Sequence, residues 1–281
     1  MKQLFYIERE ELQSAERKVL SLCIGKKYFS FAITNFHDNN LYSLGYFTND
    51  AINDLFLAEL FSKYVILSDQ FSKVLAVFDF PESVLVTSSE HQNNPELLLE
   101  TMYGNCFNTH TFSDSLNEWQ MNNIYSVPGN LFNWIRNKFP SLTYSHIYSA
   151  FLRVYSKSVR SVITDENDGC LLLDFKSEDF SVIALKSKKI LLAQTYAYST
   201  PGDVLFHLLK ICRHFSLSQE KAKLLLSGLI EKRSALLHEI SQFFLNVEFR
   251  DASDWANIIS TEKDHQPHYF TSLNDLAKCA S

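Results

Sequence analysis

LLLDFKSEDFSVIAL, residues 171–185, consists of two apolar runs around a short polar turn, and LSLCIGKKYFSFAI, residues 20–33, is a weaker copy of it. Alternate residues of a strand share a face, so apolar runs of this length flanking a polar turn read as β-hairpins. In both copies a Phe-Ser pair opens the second run, and Leu20, Leu22, Phe29 and Ser30 fall over Leu171, Leu173, Phe180 and Ser181 at a single offset.

The elements after each hairpin repeat as well. In the first copy a turn, FHDNN, leads to a third apolar run at 41–47, and a helix is expected next. Asn49 is the expected N-cap, and Ile52, Leu55, Phe56, Leu60 and Phe61 the apolar face at helical spacing. In the second copy SKK is the turn, 190–198 is the third strand, and Thr200-Pro201 supplies an N-cap followed by proline at the first helical position. Val204, Leu205, Leu208, Leu209, Cys212 and Phe215 form its apolar face. Each half therefore reads β-β-β-α.

Beyond these units the sequence predicts strands at KVLAVFD, SVLVTSS and NNIYSVP. Helices are expected in PELLLETMYGNCF and over 129–139 and 145–158. The second half continues with a strand at 223–228, a helix over 231–244 and a strand at 246–249, and ends in a tail, HQPH to LNDLAKCA, left unassigned. The acidic stretch TDENDG, 164–169, is the expected linker between a first domain, 1–164, and a second, 165–281. A chain of 281 residues exceeds the common single-domain size, and its 23 Phe and 13 Tyr are material for two cores.

Composition narrows the function classes. A net charge of −6 lacks the basic surplus that would neutralise several nucleic-acid phosphates, so no nucleic-acid partner is expected. No run reaches the length of a membrane span, and the N-terminal residues turn charged too early for a secretory leader. The odd set Cys23, Cys106, Cys170, Cys212 and Cys279, without a C-x-x-C pair, suits a reducing cytoplasm.

The duplicated layout resembles the ribonuclease-H-like core used twice in the superfamily of actin, hexokinase and the heat-shock chaperones. The fold class expected is α/β, with two tandem domains of mixed sheets flanked by helices. More narrowly, the Phe-Ser hairpins, LLLSG at 224–228 and NVEF at 246–249 resemble an uncharacterised bacterial family, mainly of Bacteroidetes, with an actin-like ATPase fold and no assigned activity.

That resemblance implies where a nucleotide would sit. Active members of the superfamily carry D-x-G in each hairpin, the Asp handling Mg²⁺ and the Gly admitting phosphate. Here Cys23-Ile24-Gly25 keeps the Gly alone and Asp174-Phe175-Lys176 the Asp alone. A thiol is no substitute, because Mg²⁺ takes carboxylate and water ligands. Lys26, Lys27 and Lys176 offer only point charges for an anion, without a cradle. Gly228, ending a strand before a helix, matches the adenosine-pocket position, though strand-Gly-helix is also a common turn. Gly25, Asp174 and Gly228 are therefore the candidate cofactor-binding residues, with ATP and Mg²⁺ the cofactors implied.

Other candidates have plainer readings. His207 and His214 share a helix face without a third ligand. His265 and His268 are parted by Pro267, and Cys23 lies in an apolar strand where thiols pack as hydrophobes. Trp119, Trp134 and Arg136 are the aromatic and arginine candidates for an interface.

The function expected is a degenerate, non-catalytic or nucleotide-sensing interaction module with a protein partner. The rival is a Mg-dependent ATPase or small-molecule kinase with a nucleotide in the interdomain cleft, its carboxylates drawn from Asp79 and Asp174.

Overall fold

A computed structural model describes residues 1–9, 17–88, 94–104, 107–158, 168–255, 259 and 265–280. The chain divides into two compact units, Met1–Val154 with Leu273–Ser281, and Tyr155–Ser272. Most of the expected linker, 164–167, lies outside the described residues, as does Cys106.

The first unit begins with β1 (Lys2–Glu8), β2 (Lys18–Gly25), β3 (Tyr28–Asn35), β4 (Leu41–Thr48) and α1 (Asp54–Lys63). It continues through β5 (Lys73–Asp79), β6 (Ser83–Thr87), α2 (Pro95–Tyr103), β7 (Thr109–Leu116), β8 (Met121–Pro128), α3 (Gly129–Lys138), β9 (Thr143–His146) and α4 (Ile147–Ser158), of which the residues from Tyr155 are assigned to the second unit. One sheet runs β1-β4-β3-β2-β5-β9 and a smaller one β6-β8-β7. β2 pairs antiparallel with β3 and parallel with β5. It is buried along almost its whole length, which is why its sequence is a continuous apolar run rather than an alternation.

The second unit holds β10 (Cys170–Phe175), β11 (Asp179–Lys186), β12 (Lys189–Ala197), α5 (Pro201–Phe215), β13 (Lys223–Gly228), α6 (Ala235–Phe243) and β14 (Asn246–Phe249). A helix α7 (Thr271–Ala280) comes last and from Leu273 onward belongs to the first unit. The sheet order, β12-β11-β10-β13-β14, repeats β4-β3-β2-β5-β9 of the first unit strand for strand. Leu171, Leu173 and Phe175 face a core completed by Val204, Leu208, Cys212 and Ile240. The residues between them, including Asp174, lie on the opposite face of β10.

Several local expectations are corrected. Asn53, not Asn49, caps α1: its side chain accepts from Phe56 N at 3.0 Å. The backbone of Asn49 instead donates to Lys27 O, and its side chain to Ala51 O, tying this stretch to the hairpin turn. The helix consequently starts later and buries Leu57, while Leu55 is 81% exposed. β7 and β9 were not anticipated, and α4 begins at Ile147 rather than 145. α6 begins at Ala235 because Ser234 caps it, accepting from Leu237 N.

The cap of α5 is as expected and is reciprocal. Thr200 Oγ1 accepts from Asp203 N, and the Asp203 carboxylate accepts from Ser199 N and Thr200 N at 2.9 and 2.8 Å. Those backbone N–H groups hold the Asp203 carboxyl below its ordinary range. Thr200→Ala should therefore cost about 1 kcal/mol in urea unfolding at neutral pH. The carboxylate's share is present above the unfolded value, about pH 4, and fades as pH falls through the lowered folded one. Acid titration should thus shrink the difference between Asp203→Asn and the parent chain.

Candidate functional site

At the end of the first hairpin four side chains and one glycine form a closed cluster. Gly25, the last residue of β2, pairs with Asp79 on β5. Tyr28, the first residue of β3, lays its ring over Gly25, so that a Cβ there would stand 2.3 Å from Tyr28 Cε1. The ring stacks on Tyr46, with centroids 5.4 Å apart and planes 7° from parallel. The phenol donates to Asp79 Oδ2 at 2.5 Å, and Cys23 Sγ lies 3.2 Å from the phenol oxygen. Cys23, Tyr28, Tyr46 and Asp79 are all buried. Burial first, then the charge of Asp79, pushes the Tyr28 phenol well above its usual value, so it keeps its proton and donates.

The second hairpin carries different residues at the same positions. Asp174 stands where Cys23 does, and its Oδ1 accepts from Ser227 Oγ at 2.9 Å and Ser272 Oγ at 2.6 Å. Lys176 stands where Gly25 does. Its side chain is buried, donates to Ser181 Oγ at 2.6 Å and lies 3.5 Å from Asp179. Lys26, by contrast, is half-exposed and paired with Glu82 at 2.7 Å.

Gly228 has φ +80°, and a Cβ on it would meet Phe175 O at 2.1 Å and Phe175 N at 2.7 Å. The next residue, Leu229, donates to Phe175 O at 2.7 Å. Only glycine lets the chain leave β13 in this conformation while pressed against β10. Asp174 and Gly228 thus lie on adjacent strands, whereas Gly25 belongs to the first unit beside Asp79.

The remaining candidates have structural surroundings. His207 stacks on Tyr196 at 4.1 Å, and His214 packs edge-on against Phe215. His268, expected in a loose tail, is fully buried, with Nε2 donating to Ile230 O at 2.7 Å and its ring against Phe249. His265 stacks at 6.1 Å on Phe270. Trp134 packs on Phe61, Trp119 donates to Leu152 O, and Arg136 is exposed. Among the described residues no three His, Cys, Asp or Glu side chains gather as a metal-ligand set, and Cys23, Cys170, Cys212 and Cys279 are free thiols.

Sequence reading missed Tyr28, which looked like one more apolar strand residue, and a second buried polar cluster on β7. There Asp114 Oδ2 accepts from Ser145 Oγ at 2.6 Å and His146 N at 2.8 Å, and Arg153 donates to Ser145 Oγ at 2.9 Å. His146 Nε2 donates to Phe80 O, and its Nδ1 accepts from Tyr148 N. The Asp114 cluster fastens β7 to β9. A cavity of about 560 Å³ in the first unit is lined by Lys26, Asp50, Phe80, Glu82, Tyr103 and Phe107 among others.

Two mixed sheets of the same strand order, each with helices against it, define the actin-like ATPase fold class. The chain superposes with a TM-score of 0.79 on a Bacteroides thetaiotaomicron protein with an actin-like ATPase fold and unknown function, at 16% identity over 96% of this chain and 98% of that one. It is also similar to the PilM–PilN type IV pilus biogenesis complex (TM-score 0.63, 13% identity, 93% and 98% covered). A third similar structure is the ethanolamine utilization protein EutJ of Carboxydothermus hydrogenoformans (TM-score 0.50, 7% identity, 96% and 94% covered). At these identities the likeness is one of fold. The chain belongs to the family described as protein of unknown function DUF3822, which matches residues 8–247. No curated protein matches it. Among the described residues no helix is long and apolar enough to cross a membrane.

Proposed function

We propose that this protein is a non-catalytic interaction module on an actin-like scaffold, working in the cytoplasm with a protein partner. The observation that carries this reading is Tyr28. Phosphate would reach the backbone of the first hairpin over Gly25, and that volume is taken by a phenol ring pinned by Tyr46 and by its 2.5 Å bond to Asp79.

The donor set points the same way. A hard cation needs carboxylate oxygens and water, whereas this hairpin presents a thiol at Cys23 and an Asp79 oxygen already taken by a phenol. In the second hairpin one oxygen of Asp174 accepts from two serines, and a buried lysine replaces the glycine. These residues do not fit a Mg-nucleotide held in the ordinary way of the fold. That a similar fold was solved within a PilM–PilN complex agrees with a partner-binding role.

The test is thermal unfolding with and without millimolar ATP and Mg²⁺. A ligand at a hundredfold excess over its Kd adds about 2.7 kcal/mol to native stability. The expected result is an unchanged midpoint. A Mg²⁺-dependent rise that vanishes in Asp174→Ala would replace this reading with a divergent ATPase or small-molecule kinase, and would send attention to phosphoryl acceptors.

A further inference from the structure

Among the described residues the duplication leaves one sheet edge paired in the first unit and its counterpart in the second without a strand beside it. β4 lies inside its sheet because β1 pairs along its outer edge, antiparallel, from Lys2 opposite Thr48 to Glu8 opposite Ser43. β12 occupies the place of β4 in the second sheet, yet among the described residues no strand pairs with its outer edge. Natural edges are blunted by charges, proline, bulges or short length; β12 has one bulge, at its Lys189 end, of the kind that β4 carries while pairing with β1. β12 has nine residues, and from Ile190 to Ala197, ILLAQTYA, it contains no charge and no proline.

The side chains around that edge agree. β1 lays Tyr6 on Tyr64 at 5.0 Å and near Phe31 at 6.4 Å, and Tyr64 is buried. In the second unit Tyr196 of β12 stacks on His207, whose ring meets Phe206 of α5 at 5.4 Å, and Phe206 is left 61% exposed. Ring contacts thus run from Tyr196 of β12 through His207 to an exposed Phe206 on α5.

We propose that β12 receives an extended segment of a partner protein as a sixth, antiparallel strand, with an apolar side chain covering Phe206. The turn before β12 reads KSKK, Lys186 to Lys189. In an antiparallel addition the incoming strand ends beside that turn, as β1 ends with Glu8 opposite Ser43 near the start of β4. The segment therefore alternates apolar residues over about seven positions and is acidic at its C-terminal end. A second copy of this chain fits less well, because a twofold pairing of β12 with itself would set each lysine turn against the neutral end TYAYST. The inference deepens the interaction-module reading and rests on it.

The probe is a fluorescent peptide with the sequence of β1, KQLFYIE, added to the full chain. Saturable binding should be accompanied by amide-exchange protection over residues 189–197. Because a strand hydrogen-bonds along alternate residues of one edge, N-methylation of Phe5 and Ile7 or of Leu4 and Tyr6 in the peptide should weaken binding about tenfold for one pair and leave the other near parity. Lys189→Glu and Phe206→Ala in the protein should each weaken it without changing the thermal midpoint.

Protection confined to β4, equal tolerance of both N-methylated peptides, or no saturable binding would each overturn the proposal. So would concentration-dependent dimerisation that itself protects β12. Nucleotide stabilisation in the ATP measurement would sink the interaction-module reading whatever the peptide does, so the two ideas fail separately.

Discussion

Gly228→Ala should destabilise the second unit by roughly 2–5 kcal/mol, combining about 1–2 for a positive-φ non-glycine residue with about 1–3 for forced overpacking. The clash is with backbone, Phe175 O at 2.1 Å and Phe175 N at 2.7 Å, which cannot swing aside as a side chain would. Relief would require β13 to move away from β10, at the cost of the bond from Leu229 N to Phe175 O. Gly104 supplies the control. It too has φ +80°, but among the described residues a Cβ there would meet nothing within 4 Å. Its ψ of −172° completes a backbone conformation that essentially only glycine adopts, so Gly104→Ala should cost the conformational part alone, about 1–3 kcal/mol. Urea unfolding of the two variants separates strain from contact. Equal losses would mean that the approach of β13 to β10 is looser than the Cβ distances say, and would return Gly228 to the status of an ordinary turn residue.

The contrast between these glycines bears on what a sequence can reveal. The repeat was legible because strands buried on both faces wrote the same apolar residues twice: Leu20 and Leu171 are both buried, as are Phe29 and Phe180. Thr200-Pro201 was legible because a cap acts through residues adjacent in the chain. What escaped depended on partners distant in sequence. Asn49 has the right chemistry for a cap, but its backbone was already committed to Lys27 across the hairpin. β7 alternates Thr, Ser and Asp with few apolar residues, because one of its buried positions is Asp114, satisfied by Ser145 and His146. His268 looked like tail because its acceptor, Ile230 O, lies on a loop far upstream.

The candidate site divides in the same way. That D-x-G was split between the halves could be read directly from Cys23-Ile24-Gly25 and Asp174-Phe175-Lys176. What fills the gap could not. Tyr28 is one aromatic among many until its ring is placed over Gly25 and its hydroxyl on Asp79, a residue reached only through the parallel pairing of β2 with β5.

A double-mutant cycle on Gly25 and Tyr28 tests that arrangement, with the second large effect expected in this chain. Tyr28→Ala removes a buried ring and should cost about 3–5 kcal/mol. Tyr28→Phe keeps the ring but withdraws the donor from buried Asp79, costing about 1–3 kcal/mol. The latter difference should hold up to about pH 10 and shrink above it. The raised phenol value makes the stability that the tyrosine contributes fade as pH climbs toward the folded value, while phenylalanine has nothing to ionise. Gly25→Ala in the parent chain drives a methyl into a ring held on one side by Tyr46 and at its tip by Asp79, for about 2–3 kcal/mol. In the Tyr28→Ala background the same methyl enters vacated space and should cost close to nothing, so the cycle closes with a coupling of about 2 kcal/mol or more. Additivity would mean that Gly25 is glycine for its backbone and not for the ring. Nonadditivity fixes the cause: the space over Gly25 is closed by a side chain of the hairpin itself. The Tyr28→Ala protein is then the form in which ATP and Mg²⁺ should be tried again, since a midpoint rise there and not in the parent would make Tyr28 the residue that keeps this scaffold from binding nucleotide.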